Sequence, residues 1–457
     1  MPHTDRGVRP GLALALAAGA LLRVPGLRRE SFWLDELSAV RVATMDLHGL
    51  FTHLQTWDVH PPLYFLLLKA WTALAGAGER GARSLSVLLG LGALAATAWL
   101  AGLLGGARAA LGGALLAATS PFLVYYSREA RGYALLHLLT ALSLGGLLQA
   151  LREPSHKHLG RYGITALGLL YAHAFGALTV LAQALAVALS LRHEDKHRGR
   201  WTLTYGWVGV GFLPWLPTAL RQAGRVQEGF WIAPPDPLGW LLGWAREGPL
   251  SVLYVLGLVV FTASGWRGLG GLPRERRALG GAALLPVALA LGASWVGRPI
   301  FLGKYAIGSL AVLHVVAAVG LAGRGARGVL VGLLLGLGAA ESVRDAHLTR
   351  HRADWRALAR FAAEVSARGE GPVVLSAPYP SHLAVYLPRG VSVPRLAPEE
   401  VPALVARAPG GAWVLDVHPA TTPPALEGAL RCCFRPTGVR RWHRARATHW
   451  ERLARPL

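Results

Sequence analysis

Two adjacent carboxylates, Asp35 and Glu36, stand in the stretch SFWLDELS (31–38), just after the first apolar run of the chain. An acidic pair beside a membrane segment is costly to desolvate, so it points to chemistry at a membrane surface before it points to packing. A carboxylate there can act as a general base; the plainer alternative is a solvated helix start with Glu at a capping position. Groups that would complement such a base recur along the chain. They are His60 before two prolines, Arg128, Glu129, Arg131 and Tyr133 in YYSREARGYAL (125–135), His173 in an apolar run, and Arg298, Lys304 and Tyr305 in RPIFLGKY (298–305). Arg and Lys supply the positive field that a phosphate or a charged lipid headgroup requires. Each also has a structural reading: His60 could cap a turn, His173 could be a satisfied buried histidine, and the cations could snorkel or anchor to headgroups.

The elements that must carry these residues are set by composition. Of 457 residues, 53% are hydrophobic and 16% charged, and the mean hydropathy is +0.37, far above what soluble domains tolerate. The chain reads as an α-helical polytopic membrane protein. Its formal charge of +22 comes from 47 Lys+Arg against 25 Asp+Glu. Because the basic residues lie mostly in short loops between apolar runs, they imply contact with membrane lipids and no nucleic-acid partner. Cys432 and Cys433 are adjacent, a spacing that suits neither a relaxed disulfide nor a metal site. Arg6 and Arg9 precede the apolar run Gly11–Leu22, and the many apolar runs that follow make it a first transmembrane helix with a cytoplasmic N-terminus, not a cleaved signal.

After this helix, residues 37–57 show helical spacing of apolar residues and predict an interfacial helix. The apolar part of 58–76 is about 15 residues, short of the ~20 needed to span. Spans are expected over 84–104 and 109–126. With 61–76 placed beside the membrane and not across it, the basic loops 151–161, 192–200, 267–277 and 323–327 all become cytoplasmic, against only Arg80 and Arg83 on the other side. The turn 171–175, the loop 221–246 and the segment 295–305 then share the exoplasmic face with Asp35, Glu36, His60 and the 125–135 stretch. About eleven spans result, some of them short. The predicted domains are a transmembrane domain over 1–340 and a soluble exoplasmic α/β domain over 341–457, with an amphipathic helix at DWRALARFAAEV and strands at GPVVLSA, GAWVLDV and ATHWERL.

The motifs WLDE, DVHPPLYFLLLKAW, YYSREARGYALL, LYAHAFGAL, FLPWLP with GFWIAPP, RPIFLGKY and ADWRALARF occur in this order along nearly the whole chain. In that combination the sequence resembles bacterial family 39 glycosyltransferases of the GT-C superfamily, relatives of the protein O-mannosyltransferases and the lipid A aminoarabinose transferases. The resemblance implies the GT-C fold and a plasma-membrane enzyme that moves a sugar, with inversion, from a polyprenyl-phosphate donor to an acceptor glycan, lipid or protein. It makes Asp35 the base, with Glu36 assisting. Arg128, Glu129 and Arg131 would line the site, and the 221–246 loop would close over the donor. In such a transfer, a carboxylate deprotonates the acceptor hydroxyl while cations stabilise the departing phosphate. Two positions depart from the family pattern: Lys304 replaces the usual Arg, giving a point charge in place of a fork, and Ala174 replaces the usual aromatic. A divalent cation is the one cofactor left open, with His60, Glu129 and His173 as candidate ligands. The contrasting readings are a polytopic lipid transporter or flippase and a membrane-anchored assembly protein. A transporter would be expected to carry ionisable residues near the midplane.

Overall fold

The computed structural model describes residues 8–191, 196–228, 232, 249–322, 328–349, 351–377, 380–417 and 422–454. Arg6, the basic segment 192–195, the 229–246 part of the 221–246 loop apart from Ile232, and the basic loop 323–327 lie outside the described residues. The chain divides into two units, Met1–Leu27 with Val42–Leu348, and Arg28–Arg41 with Thr349–Leu457. The segment that carries Asp35 and Glu36 therefore groups with the C-terminal residues, although hydropathy alone assigns it to the helices.

The first unit is helical. Helix α1 (Val8–Arg23) leads to α2 (Leu34–Thr44), within which the unit boundary falls, and then to α3 (Leu47–Thr56). The single interfacial helix expected over 37–57 is thus two helices. Its break has a local cause: Asp46 Oδ1 accepts the Gly49 N–H at 2.7 Å and caps α3. Helix α4 (Leu63–Ala75) follows the Pro61-Pro62 pair, and its 13 residues reach only about 20 Å.

Helix α5 (Glu79–Thr119) loses helical dihedrals at Gly105 and Gly106, where φ of Gly106 is 70°, a value that glycine adopts without steric cost. Its two arms fold back on each other so closely that a Cβ on Gly113 would stand 3.0 Å from that of Ala101. The expected spans 84–104 and 109–126 fall on these arms. The second stops at Thr119, however, because Ser120 caps a new short helix with Pro121 in its first turn, α6 (Pro121–Tyr126).

The remaining helices of this unit are α7 (Tyr133–Arg152), α8 (His156–Ala172), α9 (Ala174–Ala188), α10 (Arg198–Phe212), α11 (Leu216–Glu228), α12 (Pro249–Gly268), α13 (Pro273–Val296), α14 (Ile307–Ala322) and α15 (Gly328–His347), with a 3₁₀ turn at Gly303–Ala306. Among the described residues, four helices are long and apolar enough to cross a membrane: Glu79–Thr119, Tyr133–Arg152, Pro273–Val296 and Gly303–Ala322. Three shorter ones, Leu63–Ala75, Ala174–Ala188 and Val252–Gly268, are comparably apolar. The core runs through α5, α7 and α14, where Leu100, Leu144, Leu147, Val315 and Ala317 are sealed from solvent.

The second unit holds a mixed sheet. Helix α16 (Trp355–Arg368) starts where Asp354 accepts the Ala357 N–H at 3.0 Å. Strand β1 (Val373–Leu375) pairs in parallel with β2 (Ala412–Val417), which pairs antiparallel with β4 (Ala445–Arg452), and β3 (Phe434–Trp442) closes the order β1-β2-β4-β3. Short helices α17 (Pro380–Leu383), α18 (Val401–Arg407) and α19 (Pro424–Arg431) complete the unit. Leu404, Val414, Leu430 and Trp450 fill its core. Strand β3 is absent from the sequence expectation for a physical reason: FRPTGVRRW buries only Phe434 and carries Pro436 and several arginines, the composition of an edge strand protected from further pairing. Both cysteines are free thiols at the junction of α19 and β3.

Candidate active site

In the helical unit, the loop before α4 builds a hydrogen-bonded chain of three side chains. Asp58 Oδ1 accepts the Val59 and His60 amides at 2.6 and 2.9 Å and closes a tight turn. The same oxygen lies 2.6 Å from His60 Nδ1. On the other side of the ring, Arg131 Nη2 lies 3.1 Å from His60 Nε2. A guanidinium can only donate, so His60 Nε2 must accept and the ring proton must sit on Nδ1, facing Asp58. Burial opposes charge on Asp58, but His60 and then Arg131 outweigh it and hold the carboxyl well below the usual carboxylate range. The loop is also stapled to α11. Gln222 donates to the Leu54 and His60 carbonyls at 3.0 and 3.2 Å, and Arg225 donates to the Gln55 and Asp58 carbonyls at 2.9 and 2.6 Å.

His173 occupies the break between α8 and α9 and is the N-cap of α9. Its Nδ1 accepts the Phe175 amide at 3.1 Å, which leaves the proton of the neutral ring on Nε2. That Nε2 is buried and has no hydrogen-bond partner among the described residues. Burial first, and then the nearby cations Arg131 and Lys304, push this histidine well below its ordinary pKa. The His173 ring stands 5.6 Å from that of His60 and 5.1 Å from that of Tyr305. Lys304 completes the group, its Nζ 5.4 Å from the Tyr133 ring centre and 5.8 Å from that of Tyr305, within cation–π range.

A cavity of about 250 Å³ opens beside this cluster. His60, His173, Gln227 and Tyr305 give it polar edges, and Phe175, Leu178, Val226 and Ile300 are among its apolar walls.

Of the residues singled out in the sequence, His60, Arg131, Tyr133, His173, Lys304 and Tyr305 come together here. Glu129 is buried, with its carbonyl accepting the Arg131 amide at 2.7 Å. Arg128 serves the end of α1, donating to the Pro25 carbonyl at 2.9 Å and the Leu22 carbonyl at 3.5 Å, where a cation also suits the helix dipole. Arg298 is exposed, its amide on Gln227 Oε1 at 3.3 Å. Among the described residues no group of three His, Cys, Asp or Glu side chains is placed to hold a metal ion. Of the candidate ligands, both His60 nitrogens are engaged by Asp58 and Arg131, and His173 Nδ1 by a backbone amide.

Asp35 and Glu36 lie in the first turn of α2, within the other unit. Glu36 is fully buried; its Oε2 accepts from Arg352 Nη1 at 2.6 Å and from the Trp33 amide at 3.3 Å. Asp35 is half-exposed. Adjacent residues on a helix project about 100° apart, so sealing Glu36 inward turns Asp35 to a different side. The residues that sequence reading missed are Asp58, Gln222, Arg225 and Arg352. Only Asp58 left a signal, two positions before His60 in DVHPP.

The helical bundle followed by a small sheet has the fold of the GT-C membrane glycosyltransferases. Residues 59–176 match the family described as dolichyl-phosphate-mannose-protein mannosyltransferase. ArnT from Cupriavidus metallidurans in the apo state is similar over 97% of this chain and 98% of its own, at 13% identity and a TM-score of 0.65. ArnT bound to undecaprenyl phosphate is similar over 96% and 97%, at 16% identity and a TM-score of 0.57. The oligosaccharyltransferase AglB from Archaeoglobus fulgidus, in complex with an inhibitory peptide and a dolichol-phosphate, is similar over 95% of this chain and 73% of its own, at 12% identity and a TM-score of 0.59. No protein of curated function matches the sequence.

Proposed function

We propose that the protein is an inverting glycosyltransferase of the plasma membrane, with its N-terminus cytoplasmic and its C-terminal unit exoplasmic, that takes a sugar from a polyprenyl-phosphate donor. The observation that carries this reading is the cavity in the helical unit. Apolar walls meet a rim of His60, His173 and Tyr305, with Arg131 and Lys304 behind it, a lining suited to a phosphate with a hydrocarbon tail. The similarity to ArnT bound to undecaprenyl phosphate and to AglB in complex with a dolichol-phosphate supports it.

The reaction asks for two kinds of group. Asp35 removes the proton from the acceptor hydroxyl as its oxygen bonds to the anomeric carbon. The bond from that carbon to the phosphate oxygen breaks, and the electron pair leaves with the phosphate. Arg131, Lys304, the Tyr305 hydroxyl and the Nε2–H of His173 favour that developing charge. Glu36, neutralised by Arg352, is spent on structure, which favours Asp35 as the base. The acceptor is a hydroxyl of a glycan, a lipid or a protein.

A transport role finds less support. Two histidines buried inside the bundle are held in place by hydrogen bonds: His137 by Thr97 Oγ1 at 3.1 Å, and His314 by the Leu310 carbonyl at 2.7 Å and the Tyr254 hydroxyl at 3.1 Å. Asp35→Asn tests the proposal in purified protein supplied with a labelled undecaprenyl-phosphate hexose and an acceptor extract. Transfer is expected to fall about 1,000-fold or more with an unchanged melting temperature. Retained transfer would remove Asp35 as the base.

A further inference from the structure

Within the C-terminal unit, Arg352 lies next to none of the acidic residues in sequence, yet it is their principal partner. Its Nη1 meets Glu36 Oε2 at 2.6 Å and its Nε lies 3.8 Å from Glu30 Oε2, with both the Glu36 and Arg352 side chains sealed from solvent. Glu30 Oε1 in turn accepts the His351 and Arg352 amides at 2.6 and 3.1 Å. The contact continues along the segment. Ser31 Oγ lies 3.4 Å from Asp354 Oδ1 and accepts the Arg356 amide at 3.2 Å, the Phe32 amide donates to the Tyr386 hydroxyl at 2.7 Å, and Arg356 Nη2 donates to the Arg28 and Arg29 carbonyls at 2.8 and 3.0 Å. Every residue from Arg28 to Phe32 is thereby tied to α16, its approach or the turn after α17, and the first turn of α2 is pinned through Glu36. A half-exposed carboxylate one residue from a pinned one has its backbone fixed.

We infer that Arg352 is a positioning residue for Asp35, acting through Glu36 and Glu30. Within that unit, the residues after Thr349 then set the orientation of the base. The inference rests on the transferase reading for its kinetic consequence, and on the geometry alone for its structural one. Breaking the pair from the Arg side leaves a buried uncompensated carboxylate, whereas removing both charges does not. The two cases therefore separate positioning from folding.

The test uses the full chain in detergent, with Arg352→Met, Arg352→Lys and the double variant Glu36→Gln/Arg352→Met. Hydrogen exchange reads the segment directly. The amides of 31–41 are expected to exchange about tenfold faster in Arg352→Met and less so in Arg352→Lys, while strands 412–417 and 445–452 keep wild-type protection. With labelled undecaprenyl-phosphate hexose, kcat is expected to fall about 100-fold in Arg352→Met with donor KM within about threefold, and to recover in part in Arg352→Lys. The double variant should melt higher than Arg352→Met and lose no further kcat, because the two residues act as one unit. Unchanged exchange over 31–41, or additive losses in the double variant, would overturn the inference. Should wild-type protein transfer no sugar from any such donor, the transferase reading fails, and the exchange measurement still decides the role of Arg352.

Discussion

Two regions of the molecule handle a carboxylate in opposite ways. In the C-terminal unit, Glu36 meets the guanidinium of Arg352 directly at 2.6 Å. In the helical unit, Asp58 and Arg131 are held apart by the neutral ring of His60, at 2.6 Å on one side and 3.1 Å on the other. A direct pair cancels charge and locks geometry, which suits a structural clamp. An imidazole between the charges transmits orientation without cancelling them, and it leaves a ring at the edge of a cavity. The first device holds a helix start; the second presents groups to a ligand.

The sharpest way to break the comparison is on the clamp. Glu36→Gln removes one partner and leaves the Arg352 guanidinium buried, so stability should fall by about 3–5 kcal/mol, while Asp35→Asn, one residue away, should change it by less than about 0.5 kcal/mol. Denaturation of the two variants side by side checks this. Equal stabilities would mean that the acidic pair is not divided into a sealed and a half-exposed member. Next in size is the relay: Arg131→Met should lower kcat/KM for a lipid-linked donor about 100-fold, read in steady-state assays, because His60 loses the donor that fixes its tautomer.

The acid response sharpens the contrast further. His173 is held neutral below its ordinary pKa, so the unfolded chain binds a proton that the folded chain refuses. Stability should be full above about pH 6.5 and decline as pH falls below it. Asp58 has a depressed pKa, so its contribution is present above about pH 4 and lost as pH falls further. Melting temperatures measured from pH 8 to pH 4 should therefore slope downward in the wild type and be flatter in His173→Gln. An identical slope in that variant would deny His173 its buried neutral state.

Much of this was legible in the chain because the chemistry is carried by short, unusual combinations of residues. His60, Arg131, His173, Lys304 and Tyr305 were each conspicuous as polar groups in apolar surroundings, and the structure assembles them. The membrane class and the two-part architecture of helices and a small sheet follow from hydropathy and from alternation in VVL and AWVLDV. What stayed hidden was pairing at long range. Nothing in the sequence links Glu36 to Arg352, more than three hundred residues away, and without that link the acidic pair reads as two equivalent candidates. Asp58 was overlooked because an Asx turn and a histidine partner look alike from sequence. The break at Asp46 was missed because apolar periodicity continues across it, and β3 because an edge strand buries almost nothing.

In the proposed transfer the two regions divide the work, the helical cluster binding the lipid phosphate and Asp35 acting only in the chemical step. Titrating undecaprenyl phosphate against purified wild type, Asp35→Asn and Arg131→Met tests this most directly. The expected Kd for Asp35→Asn is within about twofold of wild type, and that for Arg131→Met is weakened about tenfold or more. Weakened binding in Asp35→Asn with wild-type binding in Arg131→Met would contradict it.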